Sequence, residues 1–200
     1  VSFDIDGTLG EYHLHFTRFA EGFLGRPLPQ GYHGGEFSDF LQLDKQTYRL
    51  IKLAYRQGGM KRSMPPYFGM IDLVQEARKR DCEIWLNTTR PYLRLDNIDP
   101  DTRFWLERFD VPYDTLSYDE DKYQVMAQNV DPKRVIMIVD DLAEQVQAAQ
   151  AAFLSAEYAP MLVNRAHNYS DGVNYMRHTE TDLWGSLNAR LERWAKMTAA

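Results

Sequence analysis

The chain has a single cysteine, Cys82, among its 200 residues, so no internal disulfide staples the fold, which fits a reducing compartment. No stretch approaches the ~20 consecutive apolar residues of a membrane-spanning helix. Basic residues are not in excess: 23 Lys and Arg stand against 29 Asp and Glu, a formal net charge of -6. That balance argues against a general polyanion-binding surface and leaves room only for a local basic patch. Internal repeats and low-complexity tracts are also missing, which argues against a solenoid or a disordered linker. With 44% hydrophobic and 26% charged residues, the remaining class is a globular domain large enough for a substantial core and a small inserted subdomain. A soluble, cytoplasmic protein is expected.

What is present begins at the front of the chain. Val1-Ser2-Phe3 reads as the end of a buried strand, and Asp4-Ile5-Asp6-Gly7-Thr8-Leu9 follows. Strand geometry sends alternate residues to one side, so Asp4 and Asp6 point together while Ile5 turns inward. Two carboxylates this close repel unless a cation sits between them or one is protonated. Gly7 permits a tight turn or a close backbone approach.

Further along, Cys82 to Asn87 forms a second apolar strand ending at Thr88-Thr89-Arg90-Pro91, and Tyr113 to Tyr118 suits a short strand. Arg134 to Val139 is an almost wholly apolar run ending at Asp140-Asp141, as expected of a central parallel strand. Met161-Leu162-Val163 is the last strand expected. Helical patterns separate these strands, which implies a parallel sheet with right-handed crossovers. Ligands of such sheets bind at the carboxyl edge, where Asp4, Asp6, Thr88, Thr89, Asp140 and Asp141 all fall.

Residues 11–80 contain no clear strand. Tyr12 to Phe23 is compatible with a helix, Gly25 to Gly35 is loop, and Asp44 caps a helix that Gly58-Gly59 stops. On that helix Leu50, Ile51, Ala54 and Tyr55 make an apolar face. Lys45, Arg49, Lys52 and Arg56 recur at i, i+4, i+7 and i+11 as a stripe expected on the opposite, solvated side. A further helix runs from Tyr67 to Lys79.

Asp4-x-Asp6-Gly7-Thr8 after an N-terminal strand resembles the first motif of the haloacid dehalogenase superfamily, whose members are mostly magnesium-dependent phosphohydrolases. Thr88 resembles the Thr/Ser of the second motif. Lys122, opening the helix before the Asp140 strand, resembles the lysine of the third, with Lys133 as runner-up. Asp140-Asp141 resembles the Asp-Asp form of the fourth. The order matches, and the resemblance covers most of the chain outside residues 11–80. It implies an α/β fold: a Rossmannoid parallel sheet sandwiched by helices, made of residues 1–10 and 81–200, with a small helical C1-type cap (11–80) inserted after the first strand.

The resemblance further implies a Mg2+-dependent phosphomonoesterase in which Asp4 is the nucleophile and forms an aspartyl-phosphate. Asp6 is the acid/base. Asp4, the backbone carbonyl of Asp6, and Asp140 or Asp141 hold Mg2+, and which of the last two binds directly is left open. Thr88 and Lys122 hold the phosphoryl oxygens. Thr8, Thr89, Arg90, His13 and His15 are the expected substrate contacts. Ala166-His167-Asn168, with Trp184 beyond, is similar to the end of 5'(3')-deoxyribonucleotidases, although Thr8 and Thr89 depart from their pattern. The expected partner is therefore a small phosphorylated substrate, first a (deoxy)nucleoside monophosphate, with a homodimer left open and no membrane involved. Alternatives are a sugar phosphate, a nucleic-acid end gripped by the basic stripe together with Lys61-Arg62, and a non-catalytic protein that kept the fold.

Overall fold

In the computed structural model, which describes residues 1–91, 95–169 and 176–198, six parallel strands form one sheet in the order β3-β2-β1-β4-β5-β6. The strands are β1 (Ser2–Phe3), β2 (Trp85–Thr88), β3 (Thr115–Tyr118), β4 (Ile138–Asp140), β5 (Met161–Val163) and β6 (Arg177–His178). Ser2 pairs with Trp85 on one side and Ile138 on the other, and Phe3 with Leu86 and Val139, so β1 is the central strand. From it the chain builds outward through β2 and β3, then returns to the other flank for β4, β5 and β6. The reversal lies between β1 and β4, and a crevice opens there beyond the strand ends. Asp4 and the Asp140-Asp141 pair flank it.

Alternation along the strands explains the layers. Phe3, Leu86, Met137, Val139 and Val163 join one core cluster with α4 (Phe68–Lys79), α5 (Ile98–Arg108) and α8 (Glu180–Thr198), through Met70, Val74, Trp105, Leu183 and Leu187. Ile138 faces the opposite way, into a smaller cluster with α6 (Lys122–Ala127) and α7 (Ala143–Ala152) that includes Tyr123, Met126, Ala149 and Phe153. The strands are shorter than their apolar runs. Ile84 and Met137 are buried and precede the paired register, yet their carbonyls accept from Thr115 N–H and Ser2 N–H of the neighbouring strands. Strand β6 lies beyond the last strand expected from sequence: two residues carry too little pattern to be read.

Between β1 and β2 lies a helical layer: α1 (Tyr12–Leu24), α2 (Phe37–Phe40) and α3 (Lys45–Gln57), with its own aromatic core of Phe16, Phe37, Leu41, Ile51 and Tyr55. The Asp44 carboxylate accepts from the backbone N–H groups of Gln46 and Thr47 and caps α3. Helix α4, within the segment 11–80, buries Met70, Ile71, Leu73, Val74 and Ala77 in the same cluster as the strand residues Phe3, Leu86 and Val139. A helix with one apolar face and a Pro-Pro break before it reads the same whether it covers a sheet or a cap. Leu50 is a correction: it is 56% exposed, and the buried positions of α3 are Ile51 and Tyr55.

Candidate active site at the sheet edge

The turn after β1 is built to bring two acidic segments together. Leu9 and Gly10 N–H groups both donate to the Ile5 carbonyl, and Gly7 N–H donates to Gly10 O. Gly7 adopts φ +98°, and a Cβ there would lie 2.0 Å from an Asp141 carboxylate oxygen. Only glycine meets both demands. Thr8 is fully buried and its hydroxyl donates to Asp141 Oδ1 (3.0 Å). Arg165 clamps the same turn from the far side, donating to the carbonyls of Gly7 (3.0 Å) and Thr8 (2.9 Å).

Asp4, Asp140 and Asp141 each place a carboxylate oxygen within 4.8 Å of the others, and all three are buried. Lys122, itself 1% exposed, donates to Asp4 Oδ1 (2.5 Å) and lies 2.7 Å from Asp140 Oδ2. The Tyr123 hydroxyl donates to Asp140 Oδ2 (2.6 Å), and Leu142 N–H donates to Asp140 Oδ1 (3.0 Å). His167 Nε2 lies 2.6 Å from Asp141 Oδ2, and since a carboxylate only accepts, that nitrogen carries the proton. Asn168 donates to the Asp141 carbonyl and to that of Val163.

The cluster carries more negative than positive charge out of water. Burial pushes the Asp4 carboxyl well up, with Asp140 and Asp141 adding repulsion against the pull of Lys122. Burial raises Asp140 too, again opposed by Lys122. For Asp141 burial acts upward, but the His167 hydrogen bond and charge outweigh it and hold the group low. Burial opposes the charge of Lys122, yet Asp140 and Asp4 overcome it and keep the ammonium charged. Three converging carboxylates with a charge deficit fit a hard divalent cation, whose charge would relieve the repulsion. The triad fits a metal site.

Asp6 stands apart from that triad. Its carboxylate receives two hydrogen bonds from Arg90 (Nε 3.0 Å, Nη2 2.6 Å) and one from Lys61 Nζ (2.5 Å). Burial acts to raise it, but these two cations win and hold it well below the usual carboxylate range. Arg90 also donates to Thr102 Oγ1 (2.8 Å). Lys61 comes from the helical layer, on a 3-10 turn (Met60–Ser63) that follows Gly59 at φ +69°. The turn is anchored where Trp105 Nε1 donates to Met64 O (2.6 Å). Burial pulls the Lys61 ammonium down to about 7, with Asp6 acting upward.

A cleft of about 200 Å³ opens beside Asp6 and Asp141, lined by Tyr12, His13, Lys52, Arg56, Lys61, Thr89 and Arg90 among others. Of the expected substrate contacts, Thr89 and His13 line it directly, and Arg90 does so while committed to Asp6. Thr8 is turned into the core to support Asp141. His15 is not brought there: its Nδ1 pairs with Tyr55 OH (2.8 Å) and its Nε2 with Ser63 (3.3 Å). One helical position sends neighbouring side chains about 100° apart, so His13 and His15 could not share a direction. Thr88 ends β2 buried, its hydroxyl accepting from Arg90 N–H (3.3 Å). Lys133 is exposed in a turn away from the triad.

Lys61, Tyr123, Arg165, His167 and Asn168 enter the site without having been assigned to it from sequence. His167 and Asn168 had a signal in the short segment after β5, and Lys61 only as part of the basic patch with Arg62. The others depend on how distant elements meet.

No family model and no curated protein matches the chain. Solved structures do. A haloacid dehalogenase family hydrolase from Deinococcus radiodurans R1, with bound phosphate and sodium, superposes with a TM-score of 0.60 at 15% identity, covering 94% of each chain. The fold is haloacid-dehalogenase-like. A protein from Lactobacillus delbrueckii assigned as a phosphoglycolate phosphatase matches that fold with a TM-score of 0.59 at 12% identity, over 93% of this chain and 96% of that one. CbbY from Rhodobacter sphaeroides, in complex with xylulose-(1,5)bisphosphate, gives 0.53 at 16% identity over 92% and 93%. At these identities the likeness is one of haloacid-dehalogenase-like architecture. Among the described residues no helix is long and apolar enough to cross a membrane.

Proposed function

We propose that the chain is a phosphomonoesterase acting on a small phosphate ester, with Asp4 as nucleophile and Mg2+ as the ion. The observation that carries this reading is the buried triad of Asp4, Asp140 and Asp141, with Lys122 bridging Asp4 and Asp140 and Asp141 lining the cleft. The triad, with the Asp6 carbonyl, would hold Mg2+, which supplies the charge neutralisation that lets one anion approach another. Asp4 attacks phosphorus and displaces the ester oxygen, leaving an acyl phosphate that water then cleaves. Lys122 offsets charge on the phosphoryl oxygens. Asp6, held ionised by Arg90 and Lys61, is poised to take the proton from that water. Its earlier task, protonating the leaving oxygen, requires those two contacts to loosen, and Lys61 belongs to the layer that would have to move. We place the boundary of this mobile cap near Met64–Pro66.

A sugar phosphate or similar small ester is favoured over a nucleotide. The proteins of like architecture are described with phosphoglycolate and a sugar bisphosphate, and the aromatic rings of the helical layer pack into its own core. Asp4→Asn tests the chemistry: phosphate release from a panel of esters in Mg2+ falls by on the order of 10^4-fold. Release that persists in this variant rules out Asp4 as nucleophile.

A further inference from the structure

The basic stripe of α3 does not lie on one solvated side. Lys45 and Arg49 are exposed, whereas Lys52 and Arg56 are half-buried and line the cleft beside Asp6. The reason is angular. The buried face of α3 is only Ile51 and Tyr55, so the residue after each, about 100° round, borders the cleft.

Four cations therefore line this cleft: Lys52, Arg56, Lys61 and Arg90. Lys61 and Arg90 are committed to Asp6, which offsets one of their two charges. Lys52 and Arg56 have no carboxylate ion-pair partner among the described residues. They sit four residues apart on one helix, a spacing at which like charges destabilise it. Burial lowers the Lys52 ammonium and Arg56 lowers it further, with Asp6 and Glu36 acting the other way. The Tyr48 ring, 5.3 Å from Lys52 Nζ, is its one favourable ring contact among the described residues. A fold keeps such an arrangement where a ligand repays it. In the phosphatase reading Lys122 and the metal triad would hold the phosphoryl group, which then does not need both of these cations.

Resting on the phosphatase reading, we propose that the substrate carries a second anionic oxygen group, a carboxylate or a further phosphate, at the end away from the scissile ester, and that Lys52 and Arg56 receive it. A nucleoside monophosphate, whose far end is an uncharged base, does not meet this requirement.

The experiment pairs binding with turnover. Calorimetry in Mg2+ compares phosphonoacetate and propane-1,3-bisphosphonate with methylphosphonate, so that carboxylate, phosphate and neutral tails are separate arms. Turnover compares 2-phosphoglycolate and fructose 1,6-bisphosphate with 2-hydroxyethyl phosphate and AMP. One of the dianchored ligands is expected to bind, and its ester counterpart to be hydrolysed, with roughly tenfold or greater preference over the neutral-tailed ones. Lys52→Met with Arg56→Met is expected to erase that preference through KM. Lys45→Met with Arg49→Met, on the same helix but outside the cleft, keeps it and controls for folding. Equal use of neutral-tailed and dianchored ligands overturns the proposal, as does a preference that survives in the Lys52/Arg56 variant. Stronger binding of a 5'-phosphorylated dinucleotide than of either class overturns it in favour of a nucleic-acid end. If no ester is hydrolysed but the binding preference appears and depends on Lys52 and Arg56, the second-anion site stands and the phosphatase reading falls.

Discussion

The sheet edge and the helical layer above it hold charge of opposite sign, and they hold it differently. At the sheet edge Asp4, Asp140 and Asp141 are buried and each of their neighbours is engaged: Lys122 with Asp4 and Asp140, Tyr123 with Asp140, Thr8 and His167 with Asp141. The backbones of the three aspartates lie at or just beyond the ends of the central strand and its neighbour, so the accepting carboxylates are positioned by the register of the sheet. The helical layer presents cations on long, rotatable side chains, and two of those lining the cleft, Lys52 and Arg56, have no carboxylate ion-pair partner among the described residues. Chemistry that tolerates little displacement sits on strands, and recognition that must adapt to a ligand sits on helix-borne Lys and Arg. Asp6 is where the halves touch, gripped by Arg90 from the sheet side and Lys61 from the layer.

The comparison is broken most severely at Lys122. Lys122→Met leaves Asp4 and Asp140 facing each other in a buried site, and urea denaturation without metal should show a loss of about 3–5 kcal/mol. Added Mg2+ should restore part of it, because the ion takes over the charge compensation. An unchanged midpoint would mean that the ammonium does not hold the strand ends together.

In the helical layer the corresponding probe is His13, packed at 4.2 Å from the His167 ring and 4.9 Å from those of Tyr32 and Phe37. Burial holds it down to about 3, from an ordinary 6.5. Between those values the unfolded chain binds the proton and the folded one does not, so stability rises with pH across that window. At pH 4.5 this single group costs about 2–3 kcal/mol relative to neutral pH. His13→Phe should flatten that limb of a stability–pH curve, and an identical slope in the variant would show that His13 is not buried neutral.

The smallest effect is expected at Thr8. Thr8→Val keeps the shape of the turn and removes the hydroxyl on Asp141, costing about 1 kcal/mol. It should also weaken Mg2+ binding by about tenfold, read as the Mg2+ dependence of thermal stability. A variant that loses stability without losing Mg2+ affinity would separate Asp141 from the metal.

Several features were readable one segment at a time. An apolar run ending in a carboxylate or hydroxyl announces a strand whose end faces a crevice, and Asp4, Thr88 and Asp140-Asp141 each show that local pattern. The place of Lys122 at a helix start before the β4 strand favoured it over Lys133 without deciding between them; the contacts of Lys122 with Asp4 and Asp140 are seen only in the structure. The α3 stripe was not readable: a helical wheel gives the angle between Lys52 and Tyr55 but not which neighbour stands on either side. Lys61 was read only as part of a basic patch with Arg62, since its contact with Asp6 joins two segments 55 positions apart.

By itself, then, the sequence determined the alternation of strands and helices, the acidic strand ends and the chemistry those residue types can support, because these follow from short-range periodicity and side-chain identity. Only the tertiary structure decided that Asp6 is bound by Lys61 and Arg90, that Thr8 and His167 serve Asp141, that α4 shares a core cluster with the strands, and that two of four stripe cations face the cleft. Those are distances between elements remote in the chain, and they are set by how layers pack rather than by any local preference.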